Sequence, residues 1–255
     1  SYGQAGDDDV GAYQHLQGFF IRSYPRVIGS SSRRIISEGG LPNEEITWRT
    51  MTTYNAGLDV ILWEGLLSAS MDVYRRNSVD LFGEPQADYP RTFGADLPQL
   101  NINSTRTQGF ELELGHEYQM GDLSYSVDGN VTVNSREWTD YSEAEYETAA
   151  ERRVFGTEGK NLNRRVGYVA LGLFESQEEI NSWDVDQDGD GNSTLRPGDI
   201  KYKDLNGDGE LTPLDQKRIG YGNFPDMTYA LNLGANYKGF ALNAQFQGAS
   251  RFTIQ

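Results

Sequence analysis

Residues 110–118, FELELGHEY, and residues 122–134, DLSYSVDGNVTVN, decide the fold. In the second stretch Leu123, Tyr125, Val127, Gly129, Val131 and Val133 share one side of an extended chain. Ser124, Ser126, Asp128, Asn130, Thr132 and Asn134 share the other. The first stretch sets Phe110, Leu112, Leu114 and Tyr118 against Glu111, Glu113 and Glu117. An unbroken period of two is the signature of strands with two unlike faces, and the short break at 119–122 makes the pair a hairpin.

The pattern recurs on both sides. Tyr54, Ala56, Leu58, Val60 and Leu62 alternate with polar residues up to a turn at 63–65. Leu67, Ala69, Met71 and Val73 then alternate with Ser68, Ser70 and Asp72. A third hairpin runs through Tyr229, Leu231, Leu233, Ala235 and Tyr237, turns at Lys238-Gly239, and returns through Phe240, Leu242, Ala244 and Phe246.

Turns inside the hairpins take a few residues, whereas the connections between hairpins run over 78–104 and 139–225. Short turns at one end and long loops at the other are the habit of outer-membrane barrels. Trp63, Tyr118, Tyr125, Tyr237 and Phe240 sit beside the short turns, where an aromatic girdle belongs. A soluble β-sandwich also alternates, and the pattern alone leaves both architectures open. The apparent strand lengths of about 12–16 residues exceed the 5–6 usual in soluble sheets and favour the barrel.

Composition narrows the chemistry. The 255 residues include 29 glycines and 15 tyrosines, no cysteine and two histidines, with a net charge of −16. Thiolate metal sites, disulfides and cysteine nucleophiles are excluded. His15 and His116 are too few and too far apart in sequence to favour a histidine relay. The acidity argues against nucleic acid, which demands clustered Lys and Arg. No apolar run approaches the ~20 residues of a membrane helix, which leaves strands as the way across. Without a leader, and starting inside an apparent strand, the sequence reads as an internal piece of a longer chain.

The sharpest chemical motif is DLNGDGELTPLD, residues 204–215. Oxygen donors at positions 1, 3 and 5, glycine at 6 and an acid at 12 form the EF-hand calcium spacing. Asp204, Asn206 and Asp208 supply side-chain oxygens, Glu210 its carbonyl, Thr212 a contact through water, and Asp215 closes the sphere. Pro213 to Arg218 can form a short exit helix. Calcium is the expected ion, with magnesium second because it requires near-octahedral geometry. Asp184, Asp186, Asp188 and Asp190 imitate the start of a second loop, with Gly191 at the apolar position and Leu195 where the closing acid would stand. The Glu111–Glu113–Glu117 row reads as a solvated or lumen-lining face, His116 as an interfacial or packed residue, and Arg33-Arg34 and Arg164-Arg165 as loop charges.

Several segments, in order, resemble the SusC/RagA family of TonB-dependent outer-membrane transporters. They are the opening SYGQAGDDD (1–9) with Ala12-Tyr13-Gln14, LPNEEITWR (41–49), YNAGLD (54–59), QGFELE (108–113), GLFESQEEI (172–180), PGDIKYKD (197–204) and FQG (246–248). The resemblance implies an all-β fold, part of a large antiparallel transmembrane β-barrel with long extracellular loops. About seven strands of its C-terminal half fall in residues 1–255, and 139–225 is a long extracellular loop carrying the calcium motif.

It further implies residence in the bacterial outer membrane, contact with its lipid, and import of oligosaccharides or peptides without catalysis. The implied partners are a SusD-like surface lipoprotein as lid and the TonB complex, reached through an N-terminal part outside this sequence. Asn130, Asn232, Asn243 and Gln245 would then line the solute path. The rival reading is a secreted, calcium-stabilised, β-rich carbohydrate-binding or adhesion module, with a glycoside hydrolase using Asp/Glu pairs a distant third.

Overall fold

A computed structural model describes residues 1–8, 11, 13–21, 26–28, 31–33, 35–85 and 97–254. Asp9 and Ala12 of the opening motif, Arg34 and the side chain of Arg33 lie outside the described residues. The strands are β1 (Tyr2–Asp7), β2 (Phe19–Ile21), β3 (Arg26–Ile28), β4 (Ser31–Arg33), β5 (Ile36–Glu38), β6 (Arg49–Leu62), β7 (Leu67–Gly83), β8 (Leu100–Met120) and β9 (Leu123–Asp140). Helix α1 (Ala149–Val154), β10 (Arg165–Gly167), β11 (Ala170–Leu173), α2 (Gln177–Asn181), β12 (Ile200–Tyr202) and β13 (Lys217–Gly220) follow. The chain ends with β14 (Met227–Tyr237) and β15 (Phe240–Ser250).

One seven-stranded sheet dominates, in the order β1-β6-β7-β8-β9-β14-β15, antiparallel at every junction. The register carries like onto like. Leu58, Met71, Leu112, Val131 and Tyr229 form one row across five strands, and Val60, Ala69, Leu114, Gly129, Leu231 and Phe246 form the next. The opposite face is as uniform, with Asp59, Ser70, Glu113, Asn130, Ala230 and Gln247 in one row. A slip of one residue would mix the two faces on every strand, so the alternation itself fixes the register.

Among the described residues the apolar face has no protein partner. Leu58, Leu114, Leu231 and Phe246 are all exposed, and the buried hydrophobic residues among those described are Val154, Phe174 and Ile180, none of them in this sheet. A sandwich would bury this face against a second sheet about 10 Å away; here it is bare across six strands. At about 3.3 Å per residue and a tilt of about 45°, the ten steps from Phe110 to Met120 climb roughly 24 Å, the height of an outer-membrane apolar band.

Three short turns share one end of the sheet. The first is the 3₁₀ turn Trp63–Gly65, where Glu64 and Gly65 have φ of 58° and 97°. Gly121-Asp122 places a glycine with φ 61° first, which suits a type II′ turn. Lys238-Gly239, both with positive φ, suits type I′. Tyr118 and Tyr125 face each other beside these turns with ring centroids 6.1 Å apart, and the Tyr125 hydroxyl is 3.0 Å from His116 Nε2. His116 thus sits in the apolar-face row between Leu67 and Val127, among the aromatics.

The connections at the far end have other bounds than expected. β7 and β8 run to Gly83 and from Leu100, so the link is 84–99 and not 78–104. Beyond the apolar band pairing continues with polar residues on both faces, as in Arg76↔Thr107 and Asn77↔Arg106, so the period-two contrast fades while the strand does not. The last link spans 141–226 and folds into helices, two small sheets and a core of its own.

Candidate functional site

Local signals build the 141–226 loop. Thr148 and Glu151 close a reciprocal capping box on α1, and the Ser176 side chain caps α2. Within GLFESQEEI, Gly172 and Leu173 end β11, 174–176 link the two elements and Gln177–Ile180 lie in α2, and Phe174 and Ile180 are both buried. Phe174 meets Trp183 edge-on, with centroids 5.8 Å apart. Lys201 Nζ lies 2.5 Å from Glu179 Oε1 and ties β12 to α2.

The 204–215 loop closes as its spacing demands. Asp204 accepts from the backbone N–H groups of Asn206, Gly207 and Gly209 at 3.1, 2.6 and 2.9 Å. Asp208 accepts from Glu210 N–H at 3.0 Å and from the Asn206 side-chain amide at 2.6 Å. Gly207 and Gly209 have φ of 79° and 84°, conformations that glycine adopts freely. Carboxylate oxygens of Asp204, Asp208 and Asp215 come within 4.8 Å of one another, the one such acidic trio among the described residues.

Asp215 is completely buried. It accepts from Leu205 and Thr212 N–H at 2.8 Å each and from Asn206 N–H at 3.3 Å. Burial pushes its carboxyl up, but these N–H donors outweigh burial and hold it below the usual range. An all-oxygen donor set with an ionised closing acid fits a hard cation such as calcium. The expected exit helix over 213–218 is instead a 3₁₀ turn, Pro213–Asp215, followed by β13 from Lys217.

The second acidic loop has a different register from the one expected. Asp186, not Asp184, occupies the place of Asp204, accepting from Asp188, Gly189 and Gly191 N–H at 3.3, 2.8 and 3.1 Å. Asp188 is spent on Thr194, Asp190 and Asn192, the Thr194 bonds leading, and these hold its carboxyl well below the usual range. Asp190 accepts from the Ser193 hydroxyl. Asp184, Asp186, Asp188 and Asp190 therefore do not form a convergent trio like that of the first loop. The two loops are joined edge to edge: Asp186 N–H donates to Gly209 C=O and Leu211 N–H to Asp186 C=O, both at 2.8 Å.

The four residues assigned to a solute path all belong to the polar face. Asn232 pairs with both Asp128 and Gln245, Asn130 with Glu113 and Ala230, and Asn243 with Gly234. Asn130 and Asn232 line a cavity of about 360 Å³ together with Asp59, Glu113 and Asp128.

Sequence reasoning treated Arg164 as a solvated loop charge, which the structure corrects. Arg164 reaches the Val154 carbonyl at 2.9 Å and that of Gly156, while Lys160 reaches the Arg153 and Gly156 carbonyls at 3.1 and 2.7 Å. Both cap the C-terminal end of α1, where cations satisfy orphan carbonyls. A hint was present in the sequence, namely basic residues shortly after a helix-length segment. Arg165 bonds to the Asn223 side chain instead.

No protein-family model matches the chain. The TonB-dependent receptor P3 of Formosa agariphila is 26 % identical over 259 residues, 98 % of this chain and 25 % of that receptor. The TonB-dependent receptor SusC of Bacteroides thetaiotaomicron is 29 % identical over 207 residues, 76 % of this chain and 20 % of SusC. The RagAB peptide importer in its open-open state superposes with a TM-score of 0.66 at 20 % identity, covering 98 % of this chain and 25 % of that one.

Sequence and fold are both SusC/RagA-like. The SusC/RagA-like chain is thus all-β and antiparallel, a partial barrel, and spans about a quarter of the length of the relatives it matches.

Proposed function

We propose that this chain is a wall section of a TonB-dependent outer-membrane importer of oligosaccharides or peptides. One observation carries the reading: a continuous apolar face without a protein partner, backed by an equally continuous polar face. Lipid would cover the first and a water-filled lumen the second. The edge strands β1 and β15 close only with further strands, because lipid leaves no backbone edge satisfied. In this reading the short turns face the periplasm and the long connections face outward, where 141–226 meets a SusD-like lipoprotein lid. TonB acts through a plug outside this sequence.

The protein makes or breaks no bond; Asn130, Asn232, Asn243 and Gln245 hydrogen-bond passing solute. A calcium ion held by Asp204, Asn206, Asp208, Glu210, Thr212 and Asp215 would fix the shape of the outer loop by cancelling its carboxylate charge. The edge contact would pass that order to Asp186 and its loop.

Detergent extraction of native membranes with peptide mapping tests this reading. A detergent-dependent particle several times larger than 28.5 kDa, carrying a co-purifying lipoprotein, is expected. A 28.5 kDa monomer in detergent-free buffer would replace it with the secreted binding module.

A further inference from the structure

A cavity of about 1180 Å³ lies where the polar face meets the 141–226 loop. Its floor is the polar row Asn55, Tyr74, Gly109 and Asn134. Its far side carries Arg153, Lys160, Arg164, Arg218 and Arg251. Four of these cations touch backbone carbonyls. Arg153 bonds to the Gln216 and Leu214 carbonyls, Arg164 and Lys160 to carbonyls at the end of α1, and Arg218 to the Gly220 carbonyl. None of the five forms an ion pair among the described residues.

Carbonyls satisfy donors without cancelling charge. Asp226 is the acid on this lining that faces the cluster, and its carboxyl is raised by burial despite the nearby Arg218 and Arg251. Glu143 stands behind Arg164 and Lys160, already accepting from Thr157 N–H at 2.6 Å. Arg75 and Glu137 also line the cavity, from positions with the register parity of Val73 and Ser135, and Glu137 is paired to Arg106. Six cationic side chains against two acids, Glu137 and Asp226, on this lining is an inversion in a chain of net charge −16. It is sharper still because the rows just below carry Asp72, Glu111, Asp59 and Glu113. Burial first, and then the neighbouring Arg164 charge, lowers the Lys160 pKa, with Glu143 opposing.

We propose that this cavity is an anion-binding station at the outer mouth of the pore, and that the imported solute carries carboxylate or sulfate groups. The inference rests on the importer reading and narrows its substrate class. Arginine forks would take the anionic groups, and the Asn and Tyr side chains of the floor would take hydroxyls or amides. The acidic rows below repel the same solute, which holds it at the mouth until the full transporter releases it.

The test is calorimetric titration of the full-length receptor in detergent with three probes of matched length: an oligogalacturonate, its methyl ester, and an oligoglutamate. Either acid is expected to bind at least about tenfold more tightly than the ester, and the one that binds better tells sugar from peptide. Arg218→Gln with Arg251→Gln, two side chains not engaged in capping α1, should remove about tenfold of that affinity. Arg196→Gln with Lys217→Gln, an equal charge change outside this lining, should leave it intact. Equal binding of acid and ester, no binding of either acid, or insensitivity to the double variant would overturn the anionic class. The importer reading would stand or fall separately on extraction and mapping.

Discussion

The ring of Tyr74 occupies the space that a side chain at Gly109 would need. The two are direct cross-strand partners on the polar face, and a Cβ at Gly109 would lie 2.4 Å from the tyrosine ring. Tyr229 and Gly248 repeat the arrangement on the opposite face, again at 2.4 Å. Each tyrosine covers backbone that glycine leaves bare, a device that pins register in curved sheets. Gly109→Ala is expected to cost about 1–3 kcal/mol through overpacking, and Tyr74→Ala added to it should recover part of that loss. Urea unfolding of the full-length receptor in detergent measures both.

Val131 and Thr132 are neighbours in sequence and face opposite ways. Val131 lies between Leu112 and Tyr229, and Thr132 between Glu111 and Thr228. Val131→Lys puts a charge in the lipid band and is expected to destabilise the barrel by about 2–4 kcal/mol near the midplane. Thr132→Lys, beside Glu111 in a wet lumen, should change stability by less than about 0.5 kcal/mol. Unfolding midpoints of the two variants compare them directly.

Calcium should protect the outer loop from proteolysis. Cleavage between 184 and 215 is expected to slow in calcium and return with a chelator, with magnesium less effective. Asp204→Asn should abolish the protection, because Asp204 joins the acidic trio and also organises three backbone N–H groups. Asp184→Asn should leave it intact, since Asp184 does not hold the first position of the second loop.

Loop packing should also weaken in acid. The Lys201 ammonium and the Glu175 N–H hold the Glu179 carboxyl below its usual range. A carboxyl depressed on folding contributes stability above its unfolded pKa, about 4.3, and that contribution is lost as pH falls through the folded value. The resonance of fluorine-labelled Trp183, packed on Phe174, should therefore broaden below about pH 4. Glu179→Gln should flatten that response and loosen the loop at pH 7.

The barrel strands were legible because one physical contrast, apolar against polar, is written into every second residue of 110–134 and its counterparts. Where both faces are wet, as at Arg76, Asn77 and Arg106, the contrast disappears and strand ends were placed too early. The first calcium-type loop was legible since its closure is local, within 204–215. The second was misread by two residues, because several aspartates in a row offer two registers. Only the backbone bonds of Asp186 distinguish them. The basic cavity was invisible, as Arg153, Lys160, Arg218 and Arg251 meet only when 141–226 folds back onto the sheet.

A barrel wall requires its apolar face to meet lipid and its polar face to meet water. Spin labels placed one at a time at residues 126–133 of the full-length receptor in outer membranes test that directly. Oxygen collision rates should peak at Val127, Val131 and Val133, and those of a water-soluble nickel chelate at Ser126, Asn130 and Thr132. Equal access of the chelate to both sets would contradict the barrel wall and return the chain to a water-exposed sheet.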